Sequence, residues 1–112
     1  MNTTPSINKE NVLDLLEQQN FPAIRREFKE SEIADVAEIC SQVKLSASIH
    51  LFRLVARSKR VEVFSHLGLE RQEEYVAELP GMLVSSILNE LDPDDRTKLL
   101  ERLDDEIREQ LI

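Results

Sequence analysis

An apolar triplet at spacing i, i+1, i+4 returns every twelve residues, and this restricts the folds open to the chain. The triplets are Ile39, Cys40, Val43; Leu51, Phe52, Val55; Val63, Phe64, Leu67; Tyr75, Val76, Leu79; Ile87, Leu88, Leu91; and Leu99, Leu100, Leu103. All eighteen positions are apolar in a chain that is 41% apolar, so composition alone does not produce the run. The spacing puts three side chains on one helical face. Twelve residues hold a helix of about two turns and a short connection. Helices that short are unstable alone, so each must bury its stripe on its neighbours. Pairs of them form hairpin units, and stacked units form a superhelix with mostly local contacts. The predicted fold is therefore an all-α solenoid over residues 9–112, behind a flexible lead-in at residues 1–8. Upstream the register weakens. Leu15, Leu16 and Phe28 fit it, whereas Gln19, Glu27 and Ser31 do not. An ordinary helical bundle with a coincidental register is the alternative.

Local signals place the helix ends. Pro22 suits a first turn, and Ser31 is the predicted N-cap of the segment from Glu32. Gly68 is expected at a helix C-terminus, and Pro80 closes the segment before it. Asp92-Pro93-Asp94-Asp95 reads as a cap, a proline at N1 and two carboxylates at the positive end of a helix. Asp104-Asp105-Glu106 opens a last segment in the same way. The chain then stops on Leu111-Ile112, the start of a fresh apolar unit, where a solenoid end should be polar. The expectation is a fragment of something longer.

Chemistry is sparse. Cys40 is the single cysteine and holds a core position of the repeat, so no disulfide forms within the chain and a Cys-His nucleophile is not expected. His50 and His66 have no metal-ligand spacing, and there is no glycine-rich phosphate loop. The chain reads as a non-enzyme. Its start lacks the basic and apolar regions of a signal peptide, and no apolar run is long enough to span a bilayer. The net charge is −8, and all of it resides in residues 69–112, with thirteen acidic and five basic side chains. An acidic half disfavours nucleic acid and anionic lipid, and suits a cation, a basic protein surface or plain solubility. The basic stretch Arg53, Arg57, Lys59, Arg60 lacks interleaved aromatics and reads as a solvated face or a docking contact. Carboxylates remain: Glu62 before Val63, and Asp94 with Asp95. By themselves they read as caps and solvated charge.

Two stretches go further. Lys59-Arg60-Val61-Glu62-Val63-Phe64-Ser65-His66-Leu67 leads through Glu70-Arg71-Gln72 to Leu79-Pro80, and Ile87-Leu88-Asn89-Glu90-Leu91-Asp92-Pro93-Asp94-Asp95-Arg96 leads to Leu99-Leu100-Glu101-Arg102-Leu103. In order and spacing these resemble the cytosolic N-terminal domain of MgtE-type magnesium transporters, from about Val12 to the end. The resemblance implies a right-handed superhelix. It also implies a tandem CBS domain and a five-helix, dimeric membrane channel further along the full-length protein. In that family Mg²⁺ bound between the N and CBS domains holds the pore closed. The implied role is an intracellular Mg²⁺-sensing regulatory domain at the cytoplasmic face of the membrane. Its implied partner is a CBS domain of the same or a neighbouring subunit, within a homodimer, with no insertion of this segment into lipid and no nucleic acid. The implied metal contacts are Glu62 and Asp94, with Asp95 beside them. One departure is Lys98, which stands where some members carry an acid. Flagellar motor switch proteins have similar superhelical domains, so a protein-docking scaffold without metal sensing is the competing expectation.

Overall fold

The computed structural model describes residues 7–103. Eight α-helices lie among them: α1 (Lys9–Glu17), α2 (Phe21–Glu30), α3 (Ile33–Gln42), α4 (Leu45–Arg53), α5 (Arg60–His66), α6 (Leu69–Glu78), α7 (Gly81–Glu90) and α8 (Pro93–Arg102). A 3-10 turn, Arg57–Lys59, runs straight into α5. No strand occurs among the described residues, and none of their helices is long and apolar enough to cross a membrane. Counting the 3-10 turn as the start of its unit, the elements begin at Lys9, Phe21, Ile33, Leu45, Arg57, Leu69, Gly81 and Pro93. Every step is twelve residues, including the two at the start where the apolar triplets fail.

Packing follows that interval. From α3 onward each helix rests on the helix two places along: α3 on α5, α5 on α7, α4 on α6 and α6 on α8. This makes two rows, α3–α5–α7 and α4–α6–α8. The rows meet where α3 packs on α4, and α1 packs on α2 at the start of the chain. The described body is elongated, with extents of 49 × 29 × 21 Å. Seventeen of the eighteen triplet side chains are buried, and Leu100 is half-buried. Such helices gain their stability from burial, since alone they would melt.

The structure adds a row that the triplets leave out, three residues before each triplet's first member. Val12, Ile24, Val36, Ser48, Gln72 and Val84 are buried there, and Arg60 and Arg96 are half-buried. With this row the stripe becomes i, i+3, i+4, i+7, the spacing of a buried helix face. It also explains how α1 and α2 enter the core: Val12 and Ile24 carry the register that Gln19 and Glu27 lack.

Helix ends differ from the sequence reading in three places. Ser31 terminates α2 and donates from Oγ to the Glu27 carbonyl at 2.6 Å, while Glu32 precedes α3 without a side-chain cap. With two connecting residues between the helices, Ser31 and Glu32, a hydroxyl can turn back as readily as forward. Gly68 precedes α6 in extended backbone (φ −67°), because α5 already ends at Leu67. Asp92 stands at the N-cap of α8 but makes no side-chain capping bond. Asn8 and Asn20 do cap, accepting from the first-turn amides of α1 and α2. Gln19 adopts φ 58° after α1, and the amides of Gln19 and Asn20 donate to the Leu16 and Leu15 carbonyls, a Schellman close made without glycine. Asp104-Asp105-Glu106 and Leu111-Ile112 lie outside the described residues.

Candidate functional site

The buried polar groups hold the helix rows together. Ser48 and Tyr75 are sealed from solvent. Their hydroxyls bond to each other, Ser48 Oγ donates to the Cys40 carbonyl, and Tyr75 Oη lies 3.3 Å from the Ser48 carbonyl. This network ties α3, α4 and α6. Gln72 donates from Nε2 to the Phe64 and Leu67 carbonyls at 2.9 and 3.0 Å, closing the end of α5. Arg60 donates to the Val55 and Arg53 carbonyls at 3.1 and 3.0 Å, closing the end of α4. Helices of two to three turns leave most of their terminal carbonyls unpaired, and these side chains satisfy some of them. One such bond recurs at the repeat interval. Lys59 Nζ donates to the Lys29 carbonyl at 3.0 Å, and Arg71 Nη2 donates to the Ser41 carbonyl at 3.1 Å. Donors and acceptors are both twelve residues apart.

Cys40 lies in this interior. Burial pushes its thiol up to about 11, against smaller opposing effects from the Tyr75 hydroxyl and the Arg71 charge. Burial also raises the Tyr75 phenol. A thiol that is both sealed and protonated is inert. In the folded chain a disulfide reagent at about pH 8 should leave Cys40 unmodified, and urea should expose it with the unfolding transition. Rapid labelling without denaturant would contradict this burial.

The sequence-predicted carboxylates lie elsewhere, on the surface. Glu62 is exposed in the first turn of α5, and its backbone carbonyl lies 3.0 Å from Ser65 Oγ and 2.9 Å from His66 Nδ1. Asp94 is exposed and Asp95 half-buried in the first turn of α8. Glu62 thus belongs to the row α3–α5–α7 and the aspartates to the row α4–α6–α8. Lys98 is exposed one turn after Asp94, and the two form no ion pair. Among the described residues no three His, Cys, Asp or Glu side chains converge so as to hold a metal ion. The histidines are exposed, His50 with its ring 5.2 Å from Phe21. The polar row Ser48, Arg60, Gln72 escaped the sequence reading because its members look like surface residues. Their twelve-residue spacing was the available signal.

No curated protein matches the chain. The family model described as the MgtE intracellular N domain matches residues 31–112. That match covers most of the chain and both motif stretches, including Glu62, Asp94 and Asp95. The chain belongs to the MgtE intracellular N-domain family.

Proposed function

We propose that this chain is the Mg²⁺-sensing regulatory domain of a magnesium transporter at the cytoplasmic face of the membrane. In this reading it docks on a CBS domain through Mg²⁺-bridged carboxylates and favours the closed pore of a homodimer. Family membership over residues 31–112 carries the reading. The two helix rows and the twelve-residue interval of helix starts are in keeping with a superhelical arrangement. The exposure of Glu62 and Asp94 supports the site, because a shared ion needs carboxylates free to face a second surface.

The switch follows from electrostatics. Opposed carboxylates repel across a thin water layer, and a divalent ion between them reverses the sign. Mg²⁺ gives up water reluctantly, so one or two carboxylates per surface suffice and the affinity stays weak. Asp94 and Asp95 at the N-terminus of α8 already have favourable helix-dipole contacts, and a cation bound there must compete with that attraction. Lys98 adds a local positive charge that weakens a site at Asp94 further and leaves Glu62 as the stronger contact.

In the full-length transporter, Mg²⁺ should protect the N–CBS region from proteolysis. The paired substitution Glu62→Ala and Asp94→Ala should raise the Mg²⁺ concentration needed for protection by roughly tenfold, the loss of about one charge-assisted contact. An unchanged Mg²⁺ midpoint in the paired variant would sink the proposal.

A further inference from the structure

One concavity among the described residues is lined by positive charge. Arg25 and Lys29 of α2, Arg53 at the end of α4, Arg57 of the 3-10 turn and Arg60 of α5 line this concavity of about 310 Å³. No acidic side chain lines it. The ion pairs among the described residues, Arg71–Glu74 and Arg102–Glu73, involve none of the five. Arg25, Lys29, Arg53 and Arg57 make no side-chain hydrogen bond there, so their donors face water.

Two further observations separate this concavity from a solvated lysine-rich surface. It is held in place: Arg60 is half-buried and pinned by Nε and Nη2 to the Val55 and Arg53 carbonyls, and the floor is the buried pair Leu54 and Val55. The cationic form of Arg60 is also disfavoured there. Burial, and after it the like charges of Arg53 and Arg57, lower the Arg60 guanidinium from its ordinary value. Like charges gathered on a fixed frame are relieved by a compact anion.

We propose that this concavity is a binding site for a free, compact phosphate polyanion such as a di- or triphosphate. Guanidinium forks match phosphate oxygens two at a time, and three of the five cations, Arg25, Arg53 and Arg57, are arginines whose forks are uncommitted. The volume lies at the small end of ligand sites, enough for a few phosphate groups and too small for a folded element of another protein. Nucleic acid and anionic lipid surfaces are disfavoured by the acidic second half of the chain. Glu62, Asp94 and Asp95 do not line it, and the proposal does not depend on the Mg²⁺ reading.

The test uses the 112-residue chain in EDTA, so that metal bridging plays no part. Pyrophosphate is titrated while backbone amide shifts are followed, and vesicles of phosphatidic acid in phosphatidylcholine are compared with phosphatidylcholine alone. Shifts confined to the Arg53–Arg60 segment and α2 support the proposal, whereas retention by phosphatidic acid vesicles without those shifts overturns it. The variant Arg25→Ala with Arg57→Ala should weaken binding at least tenfold with an unchanged melting temperature. Arg25→Lys with Arg57→Lys keeps the charge, loses the forks and should fall between. Absence of the pyrophosphate shifts overturns the proposal, as does binding that the alanine variant retains. Equal binding of a polyglutamate peptide overturns the phosphate assignment.

Discussion

Phe52→Ala is expected to lower unfolding stability by about 3–5 kcal/mol, the cost of removing a sealed aromatic side chain from a packed core. Phe52 is fully buried on α4. Its ring centroid lies 5.0 Å from Tyr75 on α6, nearly edge-on, and 6.3 Å from Phe64 on α5. The three rings join both helix rows in a chain with only 4% aromatic residues. No other aromatic side chain stands ready to refill the space, since Phe28 is buried on α2 and Phe21 faces His50. A domain of this size is held by about 5–15 kcal/mol in all, so the loss is a large share. Urea unfolding should show a lower midpoint with an unchanged slope. A loss under about 1 kcal/mol would mean that the aromatic cluster relaxes freely and does not join the rows.

The second large effect concerns Gln72, only 5% exposed. Its amide nitrogen satisfies two carbonyls at the end of α5. Gln72→Leu leaves those carbonyls without their partner and should cost about 1–3 kcal/mol at any pH. Gln72→Glu is worse at neutral pH, about 3 kcal/mol or more, because an ionised carboxylate then faces two carbonyl oxygens in a dry site. The same contact raises the carboxyl's folded-state pKa above the ordinary glutamate value of about 4.3. The native state then binds more protons than the unfolded state, so stability falls as pH rises through the raised folded-state pKa. Acidification restores stability, and the recovery levels off below about 4.3, where both states are protonated. Urea unfolding at pH 5 and pH 8 checks the sign. Equal losses at the two values would show that water reaches the site.

The two substitutions separate the forces in the fold. Phe52 measures apolar burial across the rows, which is non-directional and scales with area. Gln72 measures the directional requirement that short helices create, with eight helices bringing sixteen ends close to one thin core. The ion pair from Arg102 to Glu73, at 2.8 Å between α8 and α6, is exposed and contributes little beside either.

Helical class, the twelve-residue interval and most of the core were legible in the amino-acid order. Leu, Ile, Val and Phe at a helical spacing have one low-energy use in water, and the pattern repeats without interruption from Ile39 to Leu103. The motif order around Glu62 and Asp94 also pointed to the family that the chain belongs to. The tertiary structure alone decided which helix each stripe meets, and it placed α3 on α5 and α4 on α6 as two rows. It alone put Ser48, Arg60 and Gln72 on the buried or half-buried side, and brought Arg25 and Lys29 across to Arg53, Arg57 and Arg60. Apolar burial is governed by periodicity along the chain, which a sequence displays. A polar side chain's role depends on which carbonyl or charge lies opposite it in space, and that is settled only once the helices have stacked.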